Sequence, residues 1–182
     1  MKNRVEVLRD YIDNILLYMT DTFNRRCAYL HLYGVAQACA LIALRRGENV
    51  ELATMAGMLH DLHTYKAGNH SNHAVLGALL AREVLDELQI TTAEETDMIC
   101  SAIHNHSSKD GQFSTCDEIL IDADVMQHAL YNFSMPIMER ERARFEKLVA
   151  EFSLKWAIIL QKWIFPTIKY PLSNRSLGLC LY

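Results

Sequence analysis

Histidine and aspartate recur along this chain beside apolar residues, a pairing suited to holding a metal ion. The most compact instance is His60-Asp61, which ends the apolar run Ala56-Gly57-Met58-Leu59. Neighbours on a helix point about 100° apart, so the two can converge on one ion where the helix ends and opens onto a cavity. Taken alone, the dipeptide also suits a helix C-terminus whose imidazole satisfies the last carbonyls. His31 lies just before the apolar pattern Val35 to Leu44, His73 starts a helical pattern after a polar stretch, and His104 and His106 close another. Asp122 and Asp124 sit inside Ile119 to Met126. Two carboxylates in such a run need a metal, or an Arg or Lys partner. A bundle builds a metal centre from inward-facing ligands on successive helices, and the set as a whole favours that reading.

The elements that must position these residues are helices. Period-2 alternation of β-branched residues is missing, whereas Val5, Leu8, Ile12, Ile15 and Leu16 mark a helix within an N-terminal segment over 1–27. Val35, Cys39, Ile42 and Ala43 mark a second, stopped near Gly47. Asn49 is placed to cap a third through Leu59. Thr64 to Asn72 reads as a loop, after which Ser71 or Asn72 caps a helix carrying His73, Leu80 and Val84. Thr92 with Glu95, and Thr115 with Glu118, form two capping boxes separated by the loop Ser107 to Ser114. Ser134 and Pro136 open a long helix over 134–165, packed on the core, and 166–182 reads as a tail. The expected fold is all-α, a single-domain helical bundle.

Composition narrows the function classes. The chain has 182 residues, 51% of them apolar and 22% charged, which excludes disorder as its main state. The longest nearly uninterrupted apolar run, Val35 to Leu44, is ten residues, against the ~20 of a membrane span. A net charge of −4 offers no basic footprint for nucleic acid. Arg140, Arg142, Arg144 and Lys147 interleave with Glu139, Glu141 and Glu146 as a solvated, salt-bridged face. Five cysteines without CxxC spacing read as reduced. The N-terminus, with Arg9 and Asp10 before any long apolar stretch, is not expected to act as a secretory signal. A cytoplasmic protein is expected.

The order His31, His60-Asp61, His73, His106, Asp124 resembles the HD superfamily of metal-dependent phosphohydrolases. The resemblance spans residues 28–133, and its most specific pieces are Ala56 to Asp61, His73-x-x-x-Gly77-Ala78 and Asp122-Ala123-Asp124. The chain is similar to small members with a di-metal site that hydrolyse nucleotides. The resemblance implies an HD-type bundle in which His31, His60, Asp61 and Asp124 hold one divalent metal. His73 and His106 would hold a second, with Asp61 bridging. His60 and Asp61 would then be the catalytic pair. An Ala-Asp dipeptide is the usual family setting of the last ligand, which favours Asp124 over Asp122, and His106 is favoured over His104. Many members follow the Asp with Ile-Gly-Lys, where this chain has Leu62-His63-Thr64-Tyr65-Lys66. Lys66 or His63 could take over that lysine's contact with substrate phosphate. Arg26, beside Arg25, and Lys109 are further candidates for binding phosphate, while His70 and His128 read as structural or exposed.

Imidazole and carboxylate ligation suits Fe, Mn, Co, Ni or Zn better than Mg or Ca. One or two such ions can clamp a phosphate and lower the pKa of a water, generating hydroxide near neutral pH. The leading expectation is therefore hydrolysis of a phosphomonoester or phosphoanhydride in a small, nucleotide-like molecule. A mixed-valent di-iron oxygenase would use the same ligands. A non-catalytic metal- or nucleotide-binding module would use the last helix as its output element. Phe152, Trp156 and Trp163 form a stripe on that helix, which serves either core packing or a homodimer face.

Overall fold

A computed structural model describes residues 3–108, 111–131 and 136–154. Among these residues the chain forms eight helices and no strand: α1 (Arg4–Leu17), α2 (Thr22–Arg46), α3 (Val50–Leu59), α4 (Leu62–Ala67), α5 (His73–Leu88), α6 (Ala93–Asn105), α7 (Thr115–Tyr131) and α8 (Glu139–Glu151). The all-α expectation holds.

α2 is the axis of the bundle. It starts earlier than its apolar pattern, because the Asp21 carboxylate accepts the backbone N–H groups of Phe23 and Asn24 at 2.9 and 3.0 Å. His31 consequently lies inside α2 rather than ahead of it. The helix ends at Gly47, whose φ of 74° lets Glu48 N–H return to the Ala43 carbonyl. Among the described helices, α2 alone is long and apolar enough to cross a membrane. Its apolar residues Leu32, Val35, Cys39 and Ile42 are buried in the bundle, which accounts for that composition.

α3 and α7 pack along α2, α6 packs on α3, α7 and α5, α5 also meets α4, and α8 lies on α7. Gly57 makes the α2–α3 approach possible, since a Cβ there would stand 2.6 Å from Ala36 Cα. Gly77 does the same for α5, where a Cβ would stand 2.9 Å from the His60 carbonyl oxygen. That close approach explains the small residue in His73-x-x-x-Gly77. Leu8, Ile12, Ile42, Met55, Leu59, Leu85 and Ile103 fill the interior.

Four local expectations are corrected. The stretch from Thr64 does not begin as a loop, because α4 continues through Ala67 before Gly68 turns it at φ 64°. The cap of α7 is reciprocal between Ser114 and Asp117, one residue ahead of Thr115 and Glu118. The helix expected over 134–165 runs from Glu139 to Glu151. There Ser153 adopts φ 51° and Leu154 N–H bonds the Val149 carbonyl, a closing turn that no apolar period reveals. Trp156, Trp163 and the tail lie outside the described residues. Cys39, Cys100 and Cys116 are free thiols as expected, but Cys27 is disulfide-bonded. Spacing between neighbouring cysteines carries no information about a bridge of that kind.

Candidate metal centre

The bundle brings His31, His60, Asp61, His73, His106 and Asp124 to one place. Local folding explains how His60 and Asp61 can both reach it. α3 ends at His60, and Asp61 leaves helical geometry with φ −115° and ψ 13° before α4 begins. The bend lets consecutive side chains converge, with His60 Nε2 3.7 Å from Asp61 Oδ2.

The imidazoles are oriented by a repeated device. His60 Nδ1 lies 2.8 Å from the Gly57 carbonyl, His106 Nδ1 2.6 Å from that of Ile103, and His73 Nδ1 3.2 Å from that of His70. Each acceptor is three residues upstream, and a carbonyl can only receive a proton. Nδ1 therefore carries the hydrogen and Nε2 presents its lone pair. His31 is held in the same sense by the Gln127 side-chain oxygen, 3.0 Å from Nδ1.

The Nε2 atoms meet around Asp61. His31 and His60 approach to 3.0 Å, Nε2 to Nε2, a separation at which two lone pairs repel unless a proton or a cation lies between them. Asp61 Oδ2 is 3.5 Å from His31 Nε2, while its other oxygen, Oδ1, is 3.7 Å from His106 Nε2. Asp124 Oδ1 lies 3.8 Å from His31 Nε2. His31, His60 and Asp61 form one group able to hold a metal ion; Asp61, His73 and His106 form a second, and the carboxylate is common to both.

Electrostatics are consistent with a ligand set. Burial holds the His60 pKa down at about 3, against the opposing charge of Asp61, so its ring is neutral. Burial alone would raise the Asp61 carboxyl; His60, His31 and His106 outweigh it and keep the group ionised. A neutral imidazole at His60 and an ionised carboxylate at Asp61, both buried, are the states a transition metal requires.

Other residues fall differently. Asp122, the fallback for Asp124, is neutralised by Arg46 at 2.7 Å and Arg144 at 2.9 Å. His104 is exposed, whereas His106 is buried. Arg25 bonds the Leu17 and Met19 carbonyls at the end of α1, and Arg26 is exposed, with its guanidinium 5.2 Å from the Phe23 ring centroid. Lys66 is exposed near the end of α4. His63 is half-buried there, and its Nδ1 is buried without a hydrogen-bond partner. Lys109 lies outside the described residues.

Three residues at the centre were not singled out from sequence. Tyr65 sets its ring 6.3 Å from that of His31, and burial raises its pKa. Gln127 orients His31. His128, expected to be structural or exposed, stacks on His31 with ring centroids 5.4 Å apart. Gln127 and His128 follow Asp124 by three and four residues, so the spacing that puts them on its helix face was available.

Comparisons with known proteins agree with this architecture. The HD domain family model matches residues 28–129. Ribonuclease Y of Lawsonia intracellularis is 30% identical over 142 residues, which is 73% of this chain and 25% of that protein. Ribonuclease Y of Geobacter sulfurreducens is 33% identical over 123 residues, 66% of this chain and 22% of that protein. The chain thus spans about a quarter of the length of these relatives. A crystal structure of a predicted HD superfamily hydrolase from an uncultured Thermotogales bacterium shares the fold. Its TM-score is 0.53 at 23% identity, over 87% of this chain and 91% of that one.

Proposed function

The chain belongs to the HD domain family, and on that premise we propose that it is a metal-dependent phosphohydrolase acting on a small, nucleotide-like phosphate ester or anhydride. The observation that carries the reading is the division of Asp61, whose Oδ2 faces His31 and His60 while Oδ1 faces His106. In this reading His31, His60, Asp61 and Asp124 hold one divalent transition metal, and His73 and His106 hold a second with Asp61. Such ions supply Lewis acidity toward a phosphoryl oxygen and toward a water.

The chain's own residues supply the rest. The three upstream carbonyls and Gln127 fix the imidazole rings before substrate arrives, so no reorganisation is needed at the moment of reaction. Half-buried Tyr65 narrows the centre beside His31. Lys66 and His63, both on α4, are assigned to substrate phosphate, the first as an exposed positive charge and the second as a half-buried polar group. Arg26 and Lys109 remain assigned to outer phosphates of a longer substrate.

A second reading, hydrolysis of a phosphodiester in RNA, is favoured by the likeness to ribonuclease Y and opposed by the acidic balance of the chain. One experiment separates them. The metal-free protein is reloaded with Mn, Fe, Co, Ni or Zn and offered nucleoside triphosphates, dinucleoside polyphosphates, phosphomonoesters and single-stranded RNA. Metal-dependent phosphate or nucleotide release from the small substrates, lost in Asp61→Asn, is the expected result. Cleavage of RNA alone would replace the first reading with the second. Release that survives metal removal would overturn both.

A further inference from the structure

Beyond the matched residues 28–129, α8 sends one carboxylate into the interior. Glu141 is 1% exposed on a helix whose neighbouring residues are mostly charged and exposed, and its Oε1 lies 3.2 Å from His128 Nδ1. On the other side of that ring, His128 Nε2 lies 3.3 Å from Asp124 Oδ1, one turn earlier on α7. The ring is parallel to that of His31 within 10°. Ligand-capable atoms of His31, Asp124 and His128 all lie within 4.8 Å of one another.

A carboxylate facing Nδ1 takes the ring hydrogen there and leaves Nε2 as a lone pair. That lone pair points toward a second carboxylate oxygen, an arrangement that is repulsive unless a proton or a cation lies between them. The device is the one that orients His60, His73 and His106, with a carboxylate in place of a carbonyl. A carboxylate makes the imidazole a better donor to metal. We propose that His128 is a further ligand of the ion held by His31 and Asp124, and that Glu141 is its positioning residue, so that α8 is part of the centre. The inference rests on the metal reading of the site. The competing role is a structural one, with His128 and Glu141 tying α7 to α8.

Titration of the metal-free full-length chain with Co(II), followed by its visible d–d absorption, tests this without an activity assay. His128→Ala should weaken binding of the tighter ion at least about tenfold and shift the band, since a nitrogen bound to the ion is lost. Glu141→Gln keeps the side-chain shape and an acceptor oxygen; it should weaken binding by about tenfold with a smaller spectral change. If His128→Ala does not fold, Glu141→Gln carries the test alone. Wild-type affinity and spectrum in the folded variants, with only the metal-free melting temperature lowered, would assign the pair to structure and overturn the inference. A wild-type chain that takes up no Co(II) would overturn the metal reading itself, and this inference with it, so the two failures are distinguishable.

Discussion

Asp122 and Asp124 are nearly equally buried on one helix, and their environments part them. Two residues apart is about 200° around a helix axis, so they face opposite sides of α7. Asp122 meets the guanidinium groups of Arg46 and Arg144, while Asp124 faces His31 and His128. Asp122→Asn should therefore lower stability by about 3 kcal/mol, the order expected for breaking a buried ion pair, with metal content unchanged. Asp124→Asn should do the reverse, losing metal while the metal-free protein unfolds at or above the wild-type urea midpoint. Equal metal loss in both variants would dissolve the distinction. His106→Ala isolates the second group, Asp61, His73 and His106. Elemental analysis should find it holding one ion fewer than wild type. At this scale the sequence was readable for residue type, since burying an aspartate demands a partner. The resemblance implied Asp124 for the centre through its Ala-Asp dipeptide, but the partners of Asp122 were not readable, because they depend on Arg46 and Arg144 arriving from α2 and α8.

Elements transmit small changes to the centre because they touch through backbone. Gly57 abuts Ala36 Cα and N, at 2.6 and 2.9 Å from an added Cβ, and backbone cannot swing aside as a side chain can. Gly57→Ala should push α2 from α3, costing about 1–3 kcal/mol of overpacking. It should also separate His31 from His60 and weaken metal binding, although neither ligand is altered. Thermal melts and Co(II) titration of the same variant measure the two effects; a stability loss with unchanged affinity would mean that the centre absorbs the shift.

Caps behave as independent local terms. Thr92 and Glu95 form the box that opens α6, and Glu95 also receives Arg4 of α1 at 2.7 Å. Thr92→Ala should cost about 1 kcal/mol. Arg4 first, then the Thr92 backbone, lowers the Glu95 pKa below its ordinary 4.5. Its contribution is thus full above that value and fades as pH falls through the lowered one. Glu95→Gln should remove this part of the acid dependence, as urea midpoints across pH 3–6 would register. The box was legible because Thr92 and Glu95 bond within one turn. The start of α7 was missed by one residue because Ser114 and Asp117 have the same pattern as Thr115 and Glu118. The end of α8 was missed because a left-handed Ser153 leaves no mark on the apolar period.

For the whole molecule, the decisive fact is that no single helix holds the centre. Its groups come from α2, the α3–α4 bend, α5, α6 and α7, and sequence separation between His31 and Asp124 spans most of the core. An ion that binds these groups only when they are assembled must favour the folded state, because the unfolded chain offers no such site. The metal-free chain instead has to keep Asp61 ionised among imidazoles, with His31 and His60 Nε2 atoms 3.0 Å apart. Removing metal with a chelator should therefore lower the melting temperature of the entire bundle, rather than loosen one loop. Restoring free metal to about 100 times its dissociation constant should return about 2.7 kcal/mol, a shift of roughly 5–10 °C for a domain of this size. Calorimetry of stripped and reloaded protein measures it directly. A shift in Asp122→Asn as large as in wild type, but none in Asp61→Asn, would trace the linkage to the ligand cluster. An unchanged melting temperature in wild type would mean that the imidazoles and carboxylates are assembled by packing alone.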